Sequence, residues 1–392
     1  MDQAPFDMFQ ADGSFRLQVV GRDTLAELPR WEKAFADERK DHRYYELVED
    51  TLHPEFEYHY FVLRDAGGEV YAIEPFFVLE QDVLAGTNGH FGPLADKIRR
   101  FWPSFLRMRT LMVGCVAGEG HLDGGESESA LLARQMARLI PMHARALGAP
   151  LIVLKEFPSR YRSVLDCFVE NGFSRIPSMP MTRLRIDYAS FDDYMNRALS
   201  GKMRKDLRRK FRAAEKAALE FSVVDDVTPI VDQIYPLYLQ VYERSKLHFE
   251  KLTKQYFCEL GRRMKDKVLF FVWRQDQNII AFESCMTQGD TIYSEYIGLD
   301  YRVALDLHLY HRTFRDVATW AMDHGYKWFC SSSLNYDPKL HLKHLLAPVD
   351  LYVRHTSPAI NAAMKRLLPL LEPTRYDETL PKFSNYHELW AS

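Results

Sequence analysis

The sequence predicts a mixed α/β protein, α+β in its sheets, built from two tandem domains joined by a long basic helix. Three observations predict it. Val268–Arg274 (VLFFVWR), a QDQN turn, Ile279–Gln288 (IIAFESCMTQ), a Gly289-Asp290 turn and Thr291–Leu299 (TIYSEYIGL) read as three consecutive strands, followed by an amphipathic helix and the strand Lys327–Ser331 (KWFCS). A similar order stands near the N-terminus: Tyr58–Arg64 (YHYFVLR), the turn Asp65-Ala66-Gly67-Gly68, Glu69–Leu79 (EVYAIEPFFVL), then a strand, a helix and a strand. Between the two lies Phe191–Leu219, the most charged helical stretch of the chain. The expected domains are therefore residues 1–190, a linking helix over 191–220, and residues 221–392 with a C-terminal extension.

Each element has a local reason. Residues 23–49 read as helical, with Trp31, Phe35 and Tyr44/Tyr45 on a charged background. Gly67-Gly68 supplies the positive φ values of a tight hairpin turn. Arg107–Val116 reads as a strand, followed by the glycine- and acid-rich loop Ala117–Gly125. Glu126–Leu147 is a long helix, because Leu131, Leu132, Met136, Leu139 and Ile140 recur at helical spacing. Gly148 ends it, Pro150 prevents continuation, and Leu151–Leu154 is a short buried strand. A helix near Arg160–Asn171 and a strand at Thr182–Ile186 complete the first half.

In the second half, Phe221–Val224 is extended, and Thr228–Arg244 and Lys254–Lys265 have helical period. The helix after the third strand, beginning near Leu305–Leu307, lines up Tyr310, Phe314, Val317, Ala318 and Ala321 on one face. It stops at His324-Gly325, where a cation meets the helix C-terminus. Pro358–Leu371 is a terminal helix, and the last twenty residues read as irregular.

Composition bounds the function. The 392 residues are 47% hydrophobic and 13% aromatic, enough for two cores, and the formal charge of −3 argues against a dedicated nucleic-acid binder. Five scattered cysteines without a CxxC pair suit reduced thiols rather than a disulfide or zinc framework. The acid-bearing N-terminus has no signal-peptide pattern, and no apolar run is long enough to span a bilayer, so the expectation is a soluble, cytoplasmic protein.

From Phe221 to Pro358 the chain resembles the GNAT acyltransferase superfamily, in its FemAB-like tandem branch. The residues carrying the resemblance are the three strands, the helix RTFRDVATWAMDHGY, the strand KWFCS and the tail SLNYDPKLHLKHL. The helix SGKMRKDLRRKFRAAEKA is similar to that branch's inter-domain segment, and the first half looks like a diverged copy. The resemblance implies an acyl donor lying along Thr291–Leu299, with its phosphates at the next helix N-terminus. The superfamily's glycine-rich phosphate loop is absent here: the sequence reads Leu299-Asp300-Tyr301-Arg302-Val303-Ala304-Leu305-Asp306. In the first half, Gly118-Glu119-Gly120 superficially suits such a loop, but Asp123, Glu126 and Glu128 crowd it with acids.

Acyl transfer to an amine needs a base, a polarised carbonyl and a bound leaving group. Glu295 and Glu283 are the carboxylates on the central strands; Glu283 shares a face with Ile279, Ala281 and Cys285, and Glu295 is the preferred base. The resemblance assigns Lys339 to the donor carbonyl as oxyanion stabiliser, with Tyr336 returning a proton to the leaving group. Tyr293, Tyr296, Ile297, Leu299 and His308 are expected to line the donor cleft. Lys202, Arg204, Lys205, Arg208, Arg209, Lys210, Arg212 and Lys216 form a cationic face over an apolar stripe of Met203, Leu207, Phe211 and Ala214. Arg204 and Arg208 are its candidate anion contacts. For most of these residues the bland alternative, a core aromatic, a structural hydrogen bond or a solvated helix face, carries equal or greater weight.

His308/His311 and His341/His344 sit three apart without an evident third ligand, so no metal is expected. Ser331-Ser332-Ser333 lacks a nucleophile elbow, which argues against a serine hydrolase. The resulting expectation is an N-acyltransferase working by direct attack, with acyl-CoA as co-substrate and a small amine, amino acid or peptide as acceptor. The rival donor is aminoacyl-tRNA. The rival class is a non-catalytic tandem domain that binds an anionic ligand.

Overall fold

The computed structural model describes residues 6–9, 15–52, 55–82, 97, 99–100, 107–215, 217–245 and 249–391. It divides into two compact units. Unit 1 comprises residues 1–179, 348–377 and 387–392; unit 2 comprises 180–347 and 378–386.

The chain enters unit 1 with β1 (Phe6–Phe9), β2 (Phe15–Val20), α1 (Arg22–Ala26), α2 (His42–Thr51), β3 (Glu57–Asp65), β4 (Val70–Asp82) and β5 (Arg107–Val113). There follow α3 (Glu126–Ala146), β6 (Leu151–Pro158), α4 (Arg162–Glu170) and β7 (Ser174–Pro177). Unit 2 begins with β8 (Met181–Arg185), α5 (Phe191–Ala198), α6 (Gly201–Glu215), β9 (Glu220–Val224), α7 (Val231–Tyr242) and α8 (Lys254–Arg263). It continues with β10 (Val268–Gln275), β11 (Asn278–Gln288), β12 (Thr291–Leu299), α9 (Leu309–Asp323), β13 (Trp328–Ser331), α10 (Tyr336–His341) and β14 (Leu345–Ala347). The chain returns to unit 1 with β15 (Val349–His355) and α11 (Pro358–Leu371). Unit 1 holds an eight-stranded sheet, β1-β2-β3-β4-β5-β6-β15-β7, and unit 2 a seven-stranded one, β14-β8-β13-β12-β11-β10-β9.

The two sheets share their pairing register. In unit 1, Phe61 faces Glu74 and Leu63 faces Ala72 before a bulge; in unit 2, Phe271 faces Glu283 and Trp273 faces Ala281 before a bulge. Each sheet then makes one parallel ladder of four residues: Thr110–Val113 against Leu151–Leu154, and Thr291–Ser294 against Trp328–Ser331. One core packs α3 (Leu132, Met136, Leu139, Ile140) on the unit 1 sheet; the other packs α9 (Phe314, Val317, Ala318, Ala321) and α6 (Leu207, Phe211) on the unit 2 sheet.

Several boundaries differ from the sequence expectation. The basic helix is not a linker: Leu207 and Phe211 belong to the unit 2 core, and β8, expected in the first domain, bonds β13 and β14. Conversely β15, expected in the second domain, bonds β6 and β7 of unit 1. Residues 23–49 form two helices with a 3₁₀ turn between them, since Pro29 disfavours helical geometry at Leu28. Phe191–Leu219 breaks at extended Leu199, and the Ser200 hydroxyl restarts it by accepting from Met203 N (3.3 Å). Lys216 lies outside the described residues, as does the side chain of Ala214.

Candidate functional site

The site begins where a strand loses its neighbour. β12 runs from Thr291 to Leu299, but β13 pairs it only through Ser294, with one last bond from Ser332 N to Ser294 O (3.3 Å). From Glu295 to Leu299 its strand partner is β11 alone. Residue Glu295 falls at a bulge: Cys285 faces Ser294 while Ser284 faces Tyr296. The bulge sets Ser294 and Ile297 opposite Cys285 and Glu283, on one face of the sheet.

Glu283 is 3% exposed, and burial pushes its carboxyl up to about 7, with hydrogen bonds from Ser294 and Cys285 pulling in the other direction. The Cys285 thiol lies 3.9 Å from Glu283 Oε1. The Tyr310 phenol, on the first turn of α9, is raised by its burial and by the Glu283 charge, and it bonds the Asn335 side chain. Glu295, the expected base, is half-buried at the bulge. The carboxyl tuned to exchange a proton near neutrality is Glu283. Ser294, Tyr310 and Asn335 were not singled out as site residues, because no spacing rule brings β12, α9 and the loop after β13 together.

Tyr336 and Lys339 are both buried, and both are engaged. The Tyr336 hydroxyl donates to Pro180 O (2.8 Å), and its ring packs on Phe383. Lys339 Nζ donates to Ser332 O (2.5 Å) and Leu334 O (2.8 Å), tying down a loop in which Leu334 and Asn335 have φ of 69° and 50°. Burial pushes the Lys339 ammonium down to about 7. His344 is pushed down to about 3 by burial and by Lys339, and its Nδ1 meets Thr182 Oγ1, whereas His341 reaches Asp337. The two histidines of that pair therefore face different partners.

The expected donor-lining residues divide. Ile297 and Leu299 face the core with Glu283, as partners of Glu283 and Ala281. Tyr296 and Tyr293 face the other side, where the Tyr296 hydroxyl donates to Glu250 (2.9 Å) and α7 presses so close that a Cβ on Gly298 would meet the Tyr238 backbone nitrogen at 2.8 Å. Just after β12 four successive backbone amides are already used. Tyr301 N donates to Gln240 Oε1 (3.0 Å), Arg302 N to Asp300 Oδ1 (3.0 Å), and Val303 N and Ala304 N to Asp300 O. Asp300 is 3% exposed, and its bonds from Arg302 hold its carboxyl below the usual range, so the buried acid of this turn is paired with an exposed guanidinium. His308 occupies the N-cap of α9 in left-handed geometry. Lys210 Nζ lies 3.1 Å from His311 Nε2, and burial and Lys210 push His311 down to about 4. Arg204 and Arg208 turn toward α5: Arg204 donates to Leu199 O (2.7 Å) and Arg208 to Asn196 Oδ1 (3.4 Å).

Unit 1 carries the same carboxylate under a different roof. Glu74 is fully buried, neither oxygen completes a hydrogen bond, and burial together with the Asp123 charge raises its carboxyl well above the usual range. Past Val113, residues 114–125 fold back over the sheet. Gly120 N donates to Glu156 O (3.2 Å), Lys155 Nζ donates to Gly118 O (2.8 Å), and a Cβ on Gly120 would meet the Phe157 ring at 2.6 Å. Glu119 is buried against Arg39, Lys40 (2.8 Å) and His121 (3.2 Å); burial alone would raise its carboxyl, but the cations hold it well below the usual range. Asp123 accepts from Ile73 N (2.9 Å) on the adjoining strand edge. The Gly118-Glu119-Gly120 segment is thus a plug rather than a phosphate loop.

Residues 166–332 match the FemAB-like family model, described as peptidoglycan biosynthesis/recognition. No curated protein sequence matches the chain. Among solved structures, L-PGS from Bacillus licheniformis is 12% identical, with 91% of this chain and 98% of that one aligned at a TM-score of 0.53. FemX is also 12% identical, with 82% and 93% aligned at a TM-score of 0.50. At this identity the likeness is one of fold, and it extends over both units. Residues 166–332 are thus similar to the FemAB-like family, and the chain as a whole shares its fold with L-PGS and FemX.

Proposed function

We propose that unit 2 transfers an acyl group from an activated ester to an amine, with Glu283 as the base. The observation that carries this reading is the open edge of β12 beyond Ser294, beside a buried carboxyl that titrates at about 7. An extended acyl donor adds to that edge through backbone hydrogen bonds, as a missing strand would. The amine nitrogen attacks the donor carbonyl and forms the C–N bond. Glu283 takes the proton that the nitrogen sheds, and the donor oxygen leaves with the electron pair of the broken C–O bond. Ser294, bonded to Glu283, is the last β12 residue paired with β13, where the open edge begins. Lys339 sits one loop away and organises the wall at residues 332–334 instead of reaching the carbonyl.

The donor that fits best is an aminoacyl ester carried on RNA. Acyl-CoA anchors its pyrophosphate on free amides at this helix start, whereas here the Tyr301 amide is spent on Gln240 and those of Arg302, Val303 and Ala304 on Asp300. Lys202, Lys205, Arg208, Arg209 and Arg212 of α6 are exposed on one helix, which suits a polyanion. The family description points to a peptidoglycan-precursor amine as acceptor. Incubating the protein with aminoacyl-tRNA or acyl-CoA and a peptide amine tests both steps. New amide from aminoacyl-tRNA, lost in Glu283→Gln, is expected. Turnover with acyl-CoA alone sinks the donor assignment, and turnover that survives Glu283→Gln sinks the base.

A further inference from the structure

Helix α11 (Pro358–Leu371) covers part of the unit 1 sheet but leaves an apolar ridge outward. Leu368 is buried, whereas Ile360, Leu367 and Leu370 are 45%, 54% and 57% exposed. At helical pitch these three and Ala363 share a stripe about 80° wide. The helix has two charged side chains, Lys365 and Arg366, and no acid.

Two further exposed apolar residues, Met142 (60%) and Val169 (43%), are carried to the same corner. Arg145, one turn beyond Met142, donates to Thr356 O just ahead of α11 (2.7 Å). Just beyond Val169, Gly172 O accepts from Asn361 (2.9 Å) and Asn171 O from Arg354 (2.6 Å). Five of the eight large hydrophobic residues exposed among the described residues therefore gather at one corner, which scatter over the surface would not produce. Arg145, Arg354, Lys365 and Arg366 stand around it, with Asp166 and Glu170 as the exposed acids of α4. Arg145 and Arg354 donate to backbone carbonyls, and each positive charge stands in the field of the other.

We propose that this corner docks on an anionic lipid bilayer, with Leu367 and Leu370 entering the acyl boundary and Lys365 and Arg366 at the headgroups. An apolar ridge edged by cations, on a helix without acids, is the pattern of a helix lying in the membrane interface. The attachment is peripheral, since no helix among the described residues is long and apolar enough to cross a membrane. Each cation near an anionic surface strengthens binding roughly fivefold, and salt weakens it.

The test is sedimentation of the full chain with phosphatidylcholine vesicles, with and without phosphatidylserine. The chain pellets with the anionic vesicles and releases with salt. The double variant Leu367→Glu/Leu370→Glu loses at least tenfold in vesicle affinity at unchanged melting temperature, and Lys365→Glu/Arg366→Glu loses a similar factor on anionic vesicles alone. Failure to pellet with anionic vesicles overturns the proposal, as does pelleting indifferent to both double variants. A solution dimer that Leu367→Glu/Leu370→Glu dissociates also overturns it, by assigning the ridge to a second copy of the chain.

Discussion

Glu74 and Glu283 occupy the same place in two copies of one sheet, each facing a phenylalanine two residues from a facing alanine, yet they lie under different roofs. In unit 2 the strand edge beyond the parallel ladder stays open and Glu283 has polar neighbours. In unit 1 residues 114–125 fill the equivalent space, Glu119 is locked between Arg39 and Lys40, and Glu74 is sealed without a completed hydrogen bond. The difference teaches that a strand register can be inherited while the cleft it frames is closed. A loop whose glycines allow close backbone approach, and whose acids find buried cations, converts an open edge into core.

The largest effect separates the two carboxylates. Glu283→Gln should lower the transfer rate by about 10²–10⁴-fold, the usual worth of a general base, while Glu74→Gln leaves it unchanged; equal losses in both would erase the distinction. The rate of the wild type should rise with pH through about 7, and Glu283→Gln should flatten that limb.

The same group sets a stability slope. Folded Glu283 stays neutral up to about 7 but ionises near 4.5 when unfolded, so stability that is intact below that lower value is lost as pH climbs toward 7. The loss amounts to about 3 kcal/mol, an order-of-magnitude figure. Denaturant melts of Glu283→Gln across pH 4–8 should lack it. Glu74 has the same sign, so Glu74→Gln should raise the melting temperature above neutral pH, by removing a buried acid that must ionise on unfolding.

Breaking the plug comes next. Glu119→Gln removes the carboxylate charge that buried Arg39 and Lys40 share, and unit 1 should lose about 3–5 kcal/mol. Urea titration read by the fluorescence of buried Trp31 in that unit checks it. A loss under 1 kcal/mol would mean the loop is not held by this cluster.

Lys339→Met should cost about 1–3 kcal/mol, because two half-buried carbonyls lose their donor. It should also raise proteolysis at residues 332–335. A collapse of rate without loosening of that loop would restore Lys339 to a direct catalytic role. The smallest effect is expected at α6, where Arg209→Ala leaves melting unchanged but lowers the salt slope of RNA binding by about one.

Much of this fold was legible in the chain. The hairpin at Val268–Gln288, the third strand at Thr291–Leu299 and the long helices at Glu126–Ala146 and Leu309–Asp323 follow from periodicity and turn residues, which act over a few positions. The shared Ala72-Ile73-Glu74 and Ala281-Phe282-Glu283 could have revealed the paired carboxylates, but they were hidden by divergence on either side. The register shift at Ser284/Cys285 was not legible, and it decides that Ser294 shares a face with Glu283. Nor was the commitment of Tyr336 to Pro180 O, more than a hundred residues away in sequence.

The sequence by itself determined the two strand-turn-strand copies, the basic face of α6 and the missing glycine loop after β12, because each is written in neighbouring residues. Only the tertiary structure decided which carboxyl is buried, which cleft is plugged and which unit owns the basic helix. Those outcomes depend on desolvation and on partners from distant strands, and neither exists until the sheets close.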